Sequence, residues 1–230
     1  MDATSAKRQA AQAALQLLPE RGVIGLGSGS TARLFIEGVG ELVAKGRNFS
    51  GVATSDSSRA LAEAVGIPLL ADEGPWGVDV CVDGADEVDA QLDLIKGGGG
   101  CHAREKIVNQ AARLNVIIVD ESKLSQRLGE KWAIPLEVLR FGWSTLAREL
   151  EALGVVQRRM AGDQPYVTDA GNFILDVNVG AIGDPAAMDR RLRCLPGVVE
   201  TGLFVQRADV VLVAGAGGVR SLTRPALPGH

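Results

Sequence analysis

The sequence has no hydrophobic run long enough to cross a membrane, no clustered cysteines and no block of like charge. Nothing in it approaches the ~18–20 consecutive apolar residues that a membrane helix requires. The N-terminal region carries Lys7 and Arg8 in an alanine-rich polar pattern, without the apolar core and small-residue cleavage site of a secretion signal. A soluble, cytoplasmic protein is expected. The three cysteines, Cys81, Cys101 and Cys194, are odd in number and fall in no Cys-x-x-Cys or Cys/His pattern. Reduced thiols are expected, and no metal site is implied. Acidic and basic residues are interspersed at a net charge of −4, which argues against non-specific nucleic-acid binding. Internal repeats and low-complexity tracts are also lacking. With 46% hydrophobic and 23% charged residues, the 230-residue chain is globular in composition and sized for one large domain with a small companion.

Its most informative stretch runs from Asp83 to Lys106. A strand-like run, Val78 to Val82, ends in Asp83-Gly84-Ala85-Asp86, and Lys96 then opens four consecutive glycines, Gly97 to Gly100, before Glu105 at the start of a helix. Carboxylates at a strand end sit where ligands meet the carboxyl ends of parallel strands. In the glycine run no side chain shields the backbone amides, so a ligand's oxygens can reach main-chain donors. A solvated turn and flexible linker is the plainer reading, but a linker has no need of strand-like runs on both sides. The spacing of Asp83 to Asp93 does not fit a calcium loop.

A second motif precedes it. Val23 to Gly27 reads as a strand, Gly27-Ser28-Gly29-Ser30-Thr31 as a tight loop, and Leu34 to Val43 as a helix. Such a loop aims unpaired amides and the positive end of a helix dipole at one spot, to which Ser28, Ser30 and Thr31 add hydroxyls; a phosphate fits there. The Walker pattern fails. The relaxed dinucleotide pattern does match at Gly27, Gly29 and Ala32, with Asp56 suitably downstream, which makes a nicotinamide-dependent dehydrogenase the rival reading. Ser55 and Asp56 are explained equally well as a helix cap.

Further strands are expected at 51–54, 68–70 and 115–119. The last ends in Asp120-Glu121-Ser122-Lys123, which makes Lys123 either an anion contact or an ordinary surface lysine. Beyond Lys131, strands near 134–138, 155–160, 172–179 and 198–204 and helices near 144–153 and 185–195 give the order βαββαβ of a ferredoxin-like module. A strand at 208–214 then returns to the first sheet, and disorder is expected after Arg224. The fold class is α/β: a Rossmann-like domain with a parallel sheet (1–130 and 205–230) plus a small α+β lid or assembly domain (131–204).

A phosphate cradle, several carboxylates and one or two cations, with no metal cage, suit the movement of a proton between adjacent carbons of a sugar phosphate. That chemistry needs a carboxylate base and donors for enediolate oxygens. The motifs DGADEVD, KGGGGxxxREK, GLGSGSTA, DESK, TDAGNFILD and LPGVVETGLF, in this spacing, resemble ribose-5-phosphate isomerase of the A type from about Lys7 to Val219. The resemblance implies reversible conversion of ribose 5-phosphate and ribulose 5-phosphate in the pentose phosphate pathway, without cofactor, by a homodimer or homotetramer. It implies Glu105 as the general base, Asp83 in ring opening and Asp86 on the sugar hydroxyls. Lys96 and the amides of Gly97, Gly98 and Gly99 would face the reacting end. Ser28, Gly29, Ser30 and Thr31 would contact substrate, with Gly84, Ala85, Lys123 and Lys7 as further contacts. The chain departs from the family pattern at Ser28, at Cys101-His102-Ala103 and at Ala214 to Gly218. His102 and Cys101 are expected to pack rather than react. A non-catalytic sugar-phosphate sensor on the same fold is a further reading, although such a protein could dispense with Glu105 and would carry a partner domain.

Overall fold

The computed structural model describes residues 3–224, so the tail expected to be disordered lies outside the described residues. The chain forms two compact units, considered separately. The first comprises the described parts of Met1–Gly84 and Gln206–His230 together with Ile107–Lys123; the second comprises Ala85–Lys106 and Leu124–Val205. Residues 131–204 thus fall within the second unit, which also takes in the whole glycine-rich stretch after Gly84.

The first unit is built on a six-stranded sheet. In space the strands run Asn48–Ala53, Arg21–Leu26, Val78–Asp83, Ala112–Asp120, Val210–Gly215 and Gly218–Thr223. All neighbours pair in parallel except the last, which folds back antiparallel on Val210–Gly215. Continuous Val/Ile runs such as Val116–Val119 are buried, as strands covered on both faces must be. The helix Ser30–Ala44 buries Ala32, Phe35, Ile36 and Val39, a single stripe at helical spacing. Ala6, Ala10 and Ala14 form the corresponding stripe of the helix Ala3–Leu15. Sequence order reverses on either side of Arg21–Leu26. The gap between that strand and Val78–Asp83 is therefore the topological switch point, where loops on the carboxyl edge diverge and leave room for a ligand.

The second unit contains an antiparallel sheet in the order Val198–Thr201, Ile134–Val138, Phe173–Asn178, Val155–Arg158. Together with the helices Trp143–Leu150 and Pro185–Arg193 this is the ferredoxin-like module expected from the sequence. Leu136, Val138, Leu146, Leu150, Leu175 and Leu192 fill its core.

Several elements differ from the sequence-based expectation. Residues 68–70 make only one bridge, Leu69 to Gly51, instead of a strand. The expected strand at 155–160 is interrupted at Arg159 and resumes as Met160–Ala161. The one expected at 198–204 breaks at Gly202, and Leu203–Phe204 joins a separate three-stranded sheet with Leu94–Ile95 and Glu87–Val88. At the break, Gly202 donates to the carbonyl of Pro135 and accepts from the amide of Lys96. A Cβ on Gly202 would lie 2.3 Å from the Lys96 carbonyl oxygen. The short strands Glu87–Val88 and Leu94–Ile95, and the edge strand Gly218–Thr223, were not foreseen. Among the described residues no helix is long and apolar enough to cross a membrane.

Candidate functional site

In the first unit, the residues expected to meet a phosphate lie at the switch point. The strand Arg21–Leu26 ends beneath Gly27, and Gly29 stands immediately before the helix Ser30–Ala44 with no side chain capping its first turn. The amides there, with the hydroxyls of Ser30 and Thr31, sit at the positive end of the helix dipole. Lys7 reaches across from the N-terminal helix and donates to Ser30 Oγ at 2.9 Å. A cavity of about 400 Å³ opens beside this turn, lined in part by Gly29, Ser30, Arg33 and Ser57. Asp83, the last residue of its strand, is buried, and its Oδ1 accepts from the amides of Ser28 at 3.0 Å and of Gly84 at 2.7 Å. Lys123 ends a short 3₁₀ turn directly after the strand Ala112–Asp120, on the same carboxyl edge.

The hydroxyl of Ser28 has its own partners. It lies 2.8 Å from Thr54 Oγ1 and donates to Ser55 Oγ at 2.9 Å; Ser55 donates to Ser58 Oγ, and Ser58 donates to the carbonyl of Gly27. This closed chain of hydroxyls fixes the loop from below. Thr54 and Ser58 escaped sequence reading because their partners are some 30 residues distant. Ser55 caps the helix Asp56–Ala64 by accepting from the amide of Ser58, and Asp56 is an exposed first-turn carboxylate. The capping interpretation of both residues is sufficient.

In the second unit, Lys96 Nζ lies 3.1 Å from Glu105 Oε2, with both side chains almost fully buried. Glu105 is in the first turn of the helix His102–Ala111. Lys96 Nζ also lies 5.4 Å from the centre of the Phe204 ring. Half-buried Asp86 follows Ala85, and its Oδ2 accepts the amide of Gly98 at 2.6 Å. The Gly98 amide is therefore committed to a carboxylate. No hydrogen bond among the described residues takes the amide of Gly97 or Gly99. Each glycine of the run has a distinct environment. Gly97 and Gly100 have φ of 104° and 81°, in the region that favours glycine. A Cβ on Gly98 would press on Asp86, whereas one on Gly99 would meet open space.

His102 is fully buried, with Nε2 3.3 Å from the carbonyl oxygen of Glu200 and Nδ1 without a hydrogen-bond partner among the described residues. Burial first, then the neighbouring positive charge of Lys106, lowers its pKa to about 3. It is neutral near pH 7 and packs under the Gly97 turn, as expected of a structural histidine. Cys101 is only half-buried, less enclosed than expected, with Sγ 3.5 Å from the Gly99 carbonyl oxygen. Lys106 is buried and donates to Glu200 Oε1 at 2.9 Å and to the Thr201 carbonyl at 2.7 Å. Burial lowers the Lys106 pKa. Burial alone would raise that of Glu200, but Lys106, the Thr201 amide and Arg193 together hold it below the usual range. In the first unit the altered segment Ala214 to Gly218 is the turn of a β-hairpin. Among the described residues no group of three or more His, Cys, Asp or Glu side chains is placed to hold a metal ion.

Comparison with known proteins accounts for this arrangement. The family model of ribose 5-phosphate isomerase A (phosphoriboisomerase A) matches residues 50–218. Ribose-5-phosphate isomerase A of Thermomicrobium roseum is 46% identical over 97% of this chain and 96% of its own length. That of Chloroflexus aurantiacus is 48% identical over 94% and 92%. A solved D-ribose-5-phosphate isomerase in complex with phospho-erythronic acid superposes with a TM-score of 0.94 at 38% identity, covering 97% of this chain and all of that one. The dehydrogenase and sensor readings leave these matches and the buried Lys96–Glu105 pair unexplained, and the chain belongs to the ribose 5-phosphate isomerase A family.

Proposed function

We propose that the reaction of this family, interconversion of D-ribose 5-phosphate and D-ribulose 5-phosphate, runs here through an enediolate with Glu105 as the base. The observation that carries the reading is the Lys96–Glu105 pair, a carboxylate and an ammonium 3.1 Å apart and shielded from water. In the open-chain aldose, Glu105 takes the proton from C2 and the electron pair moves towards C1, leaving negative charge on O1. The Lys96 ammonium and the amides of Gly97 and Gly99 stabilise that charge, more strongly in a dry site than in water. Return of the proton to C1, with transfer of the O2 proton to O1, gives the ketose. Two hydrogens change place within one molecule, so the step needs no external electron acceptor.

Asp83 assists opening of the furanose ring, and Asp86 holds sugar hydroxyls beside Gly84 and Ala85. The phosphate is assigned to Lys7, the hydroxyls of Ser30 and Thr31, and the first-turn amides after Gly29, with Lys123 as a further cation. Ser28 contributes its position more than its hydroxyl. The complex of the 38% identical relative supports this reading. Phospho-erythronic acid combines a phosphate with a planar carboxylate, the charge pattern of a sugar-phosphate enediolate.

Ketose formation from ribose 5-phosphate, followed in EDTA without nucleotide, tests the assignment. Glu105→Gln is expected to lower kcat by roughly 10²- to 10⁴-fold, the usual scale of general base catalysis, while sugar-phosphate binding stays nearly intact. Near-normal kcat in that variant would remove Glu105 from the role. We further infer a cytoplasmic homodimer or homotetramer. The inference draws on three cysteines, odd in number and in no Cys-x-x-Cys pattern, and on the exposed apolar side chains Leu139, Phe141 and Val199 of the second unit. Sedimentation velocity at micromolar concentration decides it, a monomer being the contrary result.

A further inference from the structure

The carbonyl side of the glycine run is held by Arg159 and Tyr166 of the same unit, with Asp176, the last residue of the TDAGNFILD motif, behind Arg159; sequence reading gave none of the three a role. Arg159 donates through Nε and Nη2 to the two oxygens of Asp176, which fixes the plane of its guanidinium. Its remaining Nη1 is directed at two successive carbonyl oxygens, Gly97 at 2.6 Å and Gly98 at 3.1 Å. The hydroxyl of Tyr166 donates to the next carbonyl, Gly99, at 3.0 Å. Arg159 is placed for this by the break in its strand. Its amide donates to the carbonyl of Ile174 and its carbonyl accepts from the amide of Tyr166.

A trans peptide unit points its C=O and its N–H in opposite directions. Holding the Gly97 carbonyl orients the Gly98 amide, whose far end is fixed by Asp86. Holding the Gly98 carbonyl in the same way orients the Gly99 amide, which has no hydrogen-bond partner among the described residues. One guanidinium therefore sets two adjacent peptide planes. Its positive charge at the carbonyl end also polarises the N–H at the other end and strengthens it as a donor.

We propose that Arg159, locked by Asp176, is a positioning residue for the isomerisation: it orients the Gly98–Gly99 peptide so that the Gly99 amide donates to the developing enediolate oxygen. This rests on the assignment of the glycine run to the reacting end of the substrate. Arg159 itself touches neither substrate nor reacting atoms. Its effect is confined to the transition state and to ligands that imitate it.

The test compares Arg159→Lys and Asp176→Asn with wild type, and Glu105→Gln serves as the control for the underlying reading. For each, kcat and KM on ribose 5-phosphate are measured, together with the affinities for phospho-erythronic acid and for inorganic phosphate. A lysine cannot grip Asp176 at two points while reaching two carbonyls. Arg159→Lys is expected to lose roughly 10- to 100-fold in kcat, the scale of a weakened oxyanion donor, with KM changed less than threefold. Affinity for phospho-erythronic acid falls in step with kcat/KM, and affinity for inorganic phosphate stays constant. Asp176→Asn shows a smaller loss with the same pattern, and decides the matter if Arg159→Lys does not fold. Unchanged kcat in a folded variant overturns the proposal. So does a parallel loss of phosphate and phospho-erythronic acid binding, which would mark a merely structural role. Should Glu105→Gln keep its turnover, the functional reading itself fails. A dead Glu105→Gln beside an unaffected Arg159→Lys removes only the positioning role.

Discussion

At the scale of single residues, the glycine run separates what the fold demands from what the chemistry demands. Gly97 and Gly100 are held in left-handed backbone, and a Cβ on Gly98 would press on Asp86, so the fold itself favours glycine at these three. Gly99 has ordinary φ and open space at its Cβ position. Gly99→Ala is expected to fold with an unchanged or slightly raised Tm, since alanine there only narrows the unfolded ensemble, by about 0.4–1 kcal/mol. Its kcat/KM is expected to fall by about tenfold or more, because the methyl stands where the substrate's oxygens approach the amide. Thermal melts and initial rates on one preparation check both halves, and full activity would free Gly99 of any substrate role. The motif as a whole was legible in the sequence because charged residues and glycines cluster there within two dozen positions. What could not be read was which amide is already taken: the bond from Gly98 to Asp86 depends on how the chain turns back on itself.

At the scale of elements, periodicity located the long helices and the buried strands, whose apolar spacing is set by the local chain. It failed where a tertiary contact cuts a strand. The runs 155–160 and 198–204 each read as one continuous strand, yet the first stops at Arg159 and the second at Gly202. In both cases the interruption serves the Lys96–Gly100 segment. Gly202 allows backbone contact with Lys96, and Arg159 grips the carbonyls that follow. The paired strands Glu87–Val88 and Leu94–Ile95 are too short for a period of two to show. The hydroxyl chain under Ser28 is another case, since Thr54 reads as the end of a strand and Ser55 as a helix cap until the neighbouring loop is laid upon them.

At the scale of the whole molecule, stability should depend on pH through His102. Its folded-state pKa of about 3 lies below the ordinary 6.5. Above pH 6.5 both states are neutral at this group and it costs nothing. As pH falls from 6.5 towards 3 the unfolded chain takes up a proton that the folded protein refuses, so stability is lost across that window. At pH 5 the loss is about 2 kcal/mol, taking ~1.4 kcal/mol per pH unit. Urea denaturation at pH 7 and pH 5 is expected to show this loss in the wild type and to show most of it abolished in His102→Gln, which keeps a donor for the Glu200 carbonyl. An equal pH dependence in the two proteins would mean that other groups govern acid stability. The α/β class and the ferredoxin-like order were readable from the succession of elements. The extent of the second unit was not, because Ala85–Lys106 packs with chain from Leu124 onward, and no local signal announces a partner so far away.

The strand Gly218–Thr223 has a consequence of a different kind. Val210–Gly215 is mostly buried and apolar, and without its antiparallel neighbour it would end the sheet as an open row of amides and carbonyls. Such an edge is a template on which other chains add. The strand that covers it exposes Arg220, Ser221 and Thr223 beside a single exposed valine, Val219. The hairpin at Ala214 to Gly218 therefore replaces a buried, apolar edge with an outer strand that exposes Arg220, Ser221 and Thr223, so a charge and hydroxyls stand where a bare apolar row would invite addition.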